Sequence, residues 1–246
     1  MYTGSHLLMP LELHKMSQLD YCSSIAKTSR AIVPIGSLEQ HGPHLPVSTD
    51  SIIIEYIATE SIKKIPSFIL PVIPYGVSYE HGPLFNVSIQ NCTLSDMLHD
   101  VCLSLIEMGV KNIILLNGHH GNVGVLQYVG QNLSGQIPQD ATIYTINYWH
   151  LMKKEFDHAG EVETSIVLAI APHLVRMDKA KANTKRLSKT KVVYSSVMNN
   201  PGSFIKITGN GVWGDPTMAT AEKGRKLRDE ILENLEQTVL DLTDAS

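Results

Sequence analysis

Three short segments of this chain concentrate the residue types that bind cations and move protons. The first is Gly36-Ser-Leu-Glu39-Gln-His41-Gly-Pro-His44-Leu-Pro-Val-Ser-Thr-Asp50. In extended backbone, residues two apart point the same way, so Glu39 and His41 can converge on one site. Asp50 opens the next helical pattern and can turn back into the same crevice. Two carboxylates and an imidazole make a divalent-cation ligand set. The plainer alternative for Asp50 alone is a helix N-cap. The second segment is Asn117-Gly-His119-His120-Gly-Asn122, where His119 is the stronger ligand candidate and His120 faces solvent or substrate. Its two asparagines read as caps for backbone groups. The third is Asp157-His158-Ala-Gly-Glu161-Val-Glu163-Thr-Ser165. Glu161 and Glu163 are either functional or simply first-turn acids complementing a helix dipole. His158 is a candidate proton shuttle, since imidazole titrates near neutrality.

Other segments carry less. Ser78, Glu80 and His81, after Tyr75-Gly76, either line the pocket or form a surface loop. Tyr148 and Trp149 flank substrate or belong to the core. Gly209 to Thr217 is a Gly-rich loop leading into a helix. It reads as an anion site that includes Asp215, or as a structural turn capped by that residue.

The elements that must position these groups follow from periodicity. Apolar runs at Ala31 to Ile35, Phe68 to Ile73, Asn112 to Leu116 and Thr142 to Ile146 read as buried strands. Helical patterns occupy Ser51 to Lys64, Leu94 to Met108, Val123 to Leu133, Val162 to Ala171 and about Ala219 to Leu240. Gly109 and Pro172 mark two of the stops. Alternating strands and helices predict a mainly parallel α/β sheet with both faces covered. The first two chemical segments each follow a strand directly, at the edge where open α/β sheets bind ligands. The stretch Lys179 to Gly214 is less periodic. It reads as an excursion within the domain, with Lys179 to Phe204 the place to expect contacts between subunits.

The chain has 246 residues, 43% of them hydrophobic and 18% charged, which fits a single domain over residues 1–246. A net charge of −4 and no basic run argue against a nucleic-acid partner, and no apolar stretch has membrane-span length. Three cysteines, Cys22, Cys92 and Cys102, form no CxxC pair. With no signal-peptide pattern, that predicts reduced thiols and a cytoplasmic protein. Nothing resembles a Ser or Cys nucleophile motif.

Taken together, Glu39-Gln-His41-Gly-Pro-His44-Leu-Pro with Thr49-Asp50, Asn117-Gly-His119-His120-Gly-Asn122, and His158-Ala-Gly-Glu161-Val-Glu163-Thr-Ser165 resemble the creatininase family of metal-dependent amidohydrolases. Tyr75-Gly76 with Ser78, Glu80 and His81 looks like that family's pocket segment. The resemblance implies a three-layer α/β/α fold, a homo-oligomer and two divalent ions per subunit, Zn, Mn or Fe(II). In that pattern Glu39 holds one ion, His41 the other, Asp50 bridges them and His119 completes the first site. Creatininase itself takes its fifth ligand from a Glu at the position of Gly121. The branch that this chain resembles takes it from the third segment, hence Glu163. The implied reaction is attack of a metal-activated water on the carbonyl of an amide other than a peptide bond. His158 would protonate the departing nitrogen, oriented by Glu161 or Asp157, while Ser78, Glu80, His81, His120 and Asp215 would meet substrate. The finer expectation is a deformylase acting on a formylaminopyrimidine ribosyl phosphate of riboflavin and deazaflavin biosynthesis. Creatinine hydrolysis, trimming of a mycofactocin-type precursor peptide, two-metal phosphoester cleavage and a non-catalytic metal-binding role are the alternatives.

Overall fold

The computed structural model describes residues 11–183 and 201–244. Four strands, β1 (Arg30–Ile35), β2 (Phe68–Ile69), β3 (Asn112–Asn117) and β4 (Thr142–Asn147), form one sheet in the order β2-β1-β3-β4, every neighbour parallel. The described helices are α1 (Gln18–Ser24), α2 (Thr49–Ser61), α3 (Asn91–Glu107), α4 (Val123–Asn132), α5 (Glu161–Ile170), α6 (Ser203–Thr208) and α7 (Ala221–Asp244).

Strand parity builds the layers, because successive side chains leave a strand on opposite faces. Ile32, Ile114, Leu116 and Ile146 pack with α2, α5 and α7 on one face. Ala31, Val33, Ile35, Ile113 and Leu115 pack with α3 and α4 on the other. Both faces of β1 and β3 are therefore covered, which explains their unbroken apolar runs. The result is a three-layer α/β/α sandwich. The chain runs outward from β1 to β2, then crosses back over β1 to β3. The gap beyond the carboxyl ends of β1 and β3 is thus the topological switch point of the sheet.

Several boundaries differ from the sequence-based expectation. β2 stops at Ile69 because Pro71 and Pro74 have no N–H for the ladder; Ile73 makes only an isolated bridge to Ile35. α2 begins at Thr49, so Asp50 lies inside its first turn and is not the N-cap. α1 was not anticipated. Its signal is a capping box, in which Ser17 accepts from the Asp20 amide and the Asp20 carboxylate accepts from Ser17 N. α3 ends at Glu107, and Gly109 just beyond its C-cap has a φ of +96°, which suits glycine. Most of Lys179 to Phe204, where subunit contacts are expected, lies outside the described residues; α6 follows it. The described cysteines form no disulfide, and no described helix is long and apolar enough to cross a membrane.

Candidate metal centre

The loop after β1, the loop after β3 and the start of α5 deliver their side chains to the switch point. Asn122 ties the first two to the segment that follows β2. Its Nδ2 donates to Gly36 O at 3.0 Å, and its Oδ1 accepts from Val77 N at 3.0 Å. Asn117 Oδ1 accepts from His119 N at 3.0 Å. Both asparagines therefore serve the backbone. Gly121 lets the loops approach this closely. A Cβ there would fall inside the van der Waals envelopes of Val77 O and His119 Nε2, so this backbone has no room for a fifth ligand at that position.

Glu39, His41, Asp50, His119 and Glu163 meet in one cluster and are at most 4% exposed. Asp50 sits between the two imidazoles: Oδ1 is 3.0 Å from His41 Nε2 and Oδ2 is 3.0 Å from His119 Nδ1. Glu39 Oε2 lies 3.3 Å from His119 Nε2, and Glu163 Oε2 lies 3.6 Å from His41 Nε2. The ligand atoms of Glu39, Asp50 and His119 lie within 4.8 Å of one another, as do those of His41, His158 and Glu163. A third such trio is Glu39, His81 and His158.

Two observations indicate that this cluster suits cations. Glu39 Oε1 and Asp50 Oδ2 are buried with no hydrogen bond, although each lies 3.0 Å from an imidazole nitrogen. Buried carboxylate oxygens left in that state are costly unless a positive charge satisfies them. The protonation preferences agree. Burial disfavours the charged form of His41, yet Asp50, Glu163 and Glu39 outweigh it and push its pKa up to about 10. Burial likewise opposes charge on His119, and Glu39 and Asp50 raise it to about 10. Burial drives Glu163 up to about 8, with Asp50 and Asp157 adding to it against His41. The site thus holds more carboxylate than its histidines neutralise, which is the demand a divalent ion meets.

The remaining predicted residues divide sharply. His158 is buried over His41, ring centroids 4.3 Å apart. Burial, followed by the neighbouring His41 and His81, holds its pKa well below the usual imidazole range. His81 places Nε2 3.0 Å from Glu39 Oε1. Glu80, its pKa raised by burial, reaches within 3.9 Å of His119 Nε2. Ser78 is buried with its hydroxyl unpartnered. His120 packs near Trp149 at 5.7 Å, and burial with His119 lowers it to about 4.

Glu161 and Asp215 are not brought to the site. Glu161 points away from α5, its two oxygens paired with Lys223 at 2.7 Å and Lys154 at 2.9 Å. It cannot orient His158 from there. Asp157 does not orient it either, since its carboxylate accepts from Val162 N and Glu163 N at the start of α5. Asp215 is exposed and caps the turn at Thr217. The Gly-rich loop is no anion cradle: the amides of Gly211, Val212 and Trp213 already donate to Thr208, Asn210 and His158.

Sequence reasoning missed Gln40, whose amide lies between His81 and His158, and Phe204, which packs on both rings. It also missed Phe156, which lines the cavity and stacks on Trp149 at 4.9 Å. The only available signal for Phe156 was its place two residues before His158.

The fold and cluster define a doubly wound α/β protein with a buried carboxylate–imidazole centre of the kind that holds divalent cations. Residues 14–239 match the family described as Creatininase: Creatinine amidohydrolase. The chain belongs to the creatininase family. It is 31% identical over 222 residues to the mycofactocin precursor peptide peptidase of Mycobacterium tuberculosis, covering 83% of this chain and 82% of that protein. It is 29% identical over 150 residues to the 2-amino-5-formylamino-6-ribosylaminopyrimidin-4(3H)-one 5'-monophosphate deformylase of Methanothermus fervidus, covering 58% and 57%. Among solved structures, the manganese form of creatininase shares the fold with a TM-score of 0.79 at 21% identity, covering 95% of this chain and 98% of that one.

Proposed function

We propose that the chain is a divalent-cation-dependent amidohydrolase. The observation that carries this reading is the position of Asp50, one oxygen 3.0 Å from His41 and the other 3.0 Å from His119. A carboxylate shared in this way suits a pair of adjacent cation sites. Glu39 and His119 would complete one, and His41 and Glu163 the other. Zn, Mn and Fe(II) all suit oxygen and imidazole donors without thiolate. Such ions supply Lewis acidity towards a carbonyl and lower the pKa of water to near neutrality.

The chain's own residues do the rest. Burial of the cluster keeps bulk water out and strengthens its electrostatics. His158, held neutral by its surroundings, can take up a proton and pass it to a departing nitrogen. Glu80 and His120 line, with the cluster, a cavity of about 10 Å³, space for one water-sized group. The same two residues line a groove of about 690 Å³, together with Tyr79, Tyr128, Gly121 and Gly124.

That groove favours an amide with an extended substituent, such as a short peptide. The match to the Mycobacterium tuberculosis peptidase over 83% of the chain supports the same class. A formamide is the second reading, favoured by the small space next to Glu39 and Asp50. Its phosphorylated form has lost the loop that recommended it. The test is turnover by cation-loaded protein, prepared without oxygen, on short peptides, formamides and cyclic amides, with phosphate esters as a contrast. Amide cleavage abolished by chelation is the expected result. Cleavage of phosphate esters alone would overturn the proposal.

A further inference from the structure

Gln40 is 6% exposed, and two main-chain groups settle which way its amide points. Its Oε1 accepts from Gly42 N at 3.0 Å, and its Nε2 donates to Gly211 O at 2.9 Å. A flipped amide would set NH₂ against N–H and oxygen against a carbonyl, losing both bonds. Gly211 permits the approach, since a Cβ there would collide with the Gln40 amide and come within 2.8 Å of Leu84.

With that orientation settled, Nε2 lies 3.0 Å from His81 Nδ1 and 3.1 Å from His158 Nε2. An amide nitrogen donates two hydrogens and accepts none. One hydrogen goes to Gly211. If the other goes to His81 Nδ1, that nitrogen is bare and the ring proton is on Nε2, facing Glu39 Oε1 at 3.0 Å. His158 Nε2 then donates to the main-chain oxygen of Gln40 at 3.1 Å, which leaves His158 Nδ1 bare, 3.8 Å from Glu39 Oε1. Each assignment leaves one imidazole N–H near the Gln40 amide nitrogen, His158 Nε2 at 3.1 Å in the first and His81 Nδ1 at 3.0 Å in the opposite one, but the opposite one also leaves the Gln40 carbonyl without this donor. Only the first arrangement gives both His81 Nδ1 and the Gln40 carbonyl a donor.

We infer that Gln40 is a positioning residue that fixes the tautomers of His81 and His158, so that His81 offers a proton and His158 a bare nitrogen to the carboxylate cluster. Phe204 holds both ring planes, with centroids 4.6 Å from His81 and 4.8 Å from His158. His81 serves as a hydrogen-bond donor towards a developing negative charge, and His158 as the proton acceptor. The assignment follows from hydrogen bonds alone and holds whichever amide is cut.

The test is long-range ¹H–¹⁵N correlation on ¹⁵N-histidine protein loaded with Zn(II), without substrate. His81 and His158 should each show the Nε2–H tautomer. Gln40→Met keeps the volume and removes the donor. It should leave the zinc content unchanged, let His81 populate both tautomers and lower kcat by about 10–100-fold, with KM little changed. Gln40→Glu, with acceptors only, should move the His81 proton to Nδ1. A wild-type His81 with Nδ1–H, or a His81 tautomer unaltered in Gln40→Met, would overturn the inference. Should both variants fail to fold, the wild-type spectrum decides alone. Failure of the amidohydrolase reading would show in the substrate panel and leave these spectra untouched.

Discussion

Replacing Asp50 with Asn separates the charge of this carboxylate from its shape. In the structure its two oxygens lie 3.0 Å from the nitrogens of His41 and His119. With that distance as the scale and an effective dielectric constant near 20, one unit charge contributes roughly 5 kcal/mol to a neighbouring charge. At about 1.4 kcal/mol per decade, that is close to four orders of magnitude in affinity. Asparagine retains a neutral oxygen, so a loss of about 10²- to 10⁴-fold is expected for both cations together. Quantitative metal analysis after desalting into buffer with trace free zinc or manganese reads this directly, alongside amide turnover. The variant has a second signature. Without cations, three buried carboxylates crowd the cluster, and Asp50 helps burial push Glu163 up to about 8. Asp50 nevertheless pairs the raised imidazoles of His41 and His119, which hold its own carboxyl below the usual range against burial, so the metal-free variant should unfold at a lower urea concentration than metal-free wild type. Wild-type metal content and turnover in Asp50→Asn would refute the shared-carboxylate argument. A metal-free variant as stable as metal-free wild type, or more so, would show that Asp50 does not pair these imidazoles.

Gly121→Ala should cost about 1–3 kcal/mol in urea unfolding and abolish turnover, because its Cβ drives into Val77 O and displaces His119; a stable, active variant would contradict the packing described. Glu161→Gln should leave turnover at the wild-type level and cost at most about 1 kcal/mol, since its partners are surface lysines. A collapse of activity there would restore it to the site. His44 is lowered to about 4, by burial first and by His41 second. Its folded pKa lies below the unfolded value, so its contribution is complete above about pH 6.5 and is lost as pH falls towards 4. Urea midpoints of metal-free protein at pH 7 and pH 5 should fall less for His44→Gln than for wild type; an equal fall would argue against this assignment.

The sandwich was legible because its strands are short apolar runs and its helices carry 3.6-residue patterns, both of which are local properties. The first two chemical segments were legible because they sit directly after strand ends. The choice between Glu161 and Glu163 was harder, since both lie in the first turn of α5. They differ by slightly more than half a turn of helix, so one faces the cluster and the other the lysines. The available hint was that Glu163 lies one turn before Ile166 and Val167, both buried. Nothing local could reveal Gln40, whose neighbours His158 and Gly211 are 118 and 171 residues away in sequence. The Gly-rich loop at 209–217 was misread for a related reason. Glycines that admit an anion and glycines that admit a buried amide look identical until the packing partner is known.

The sequence by itself determined which ligand types exist and which strand ends carry them, because residue chemistry and hydrophobic period are written position by position. Only the tertiary structure decided which carboxylate faces which imidazole and which acids are left on the surface. Those outcomes depend on distances of a few ångströms between segments far apart in the chain, set by the packing of helices on both sides of the sheet.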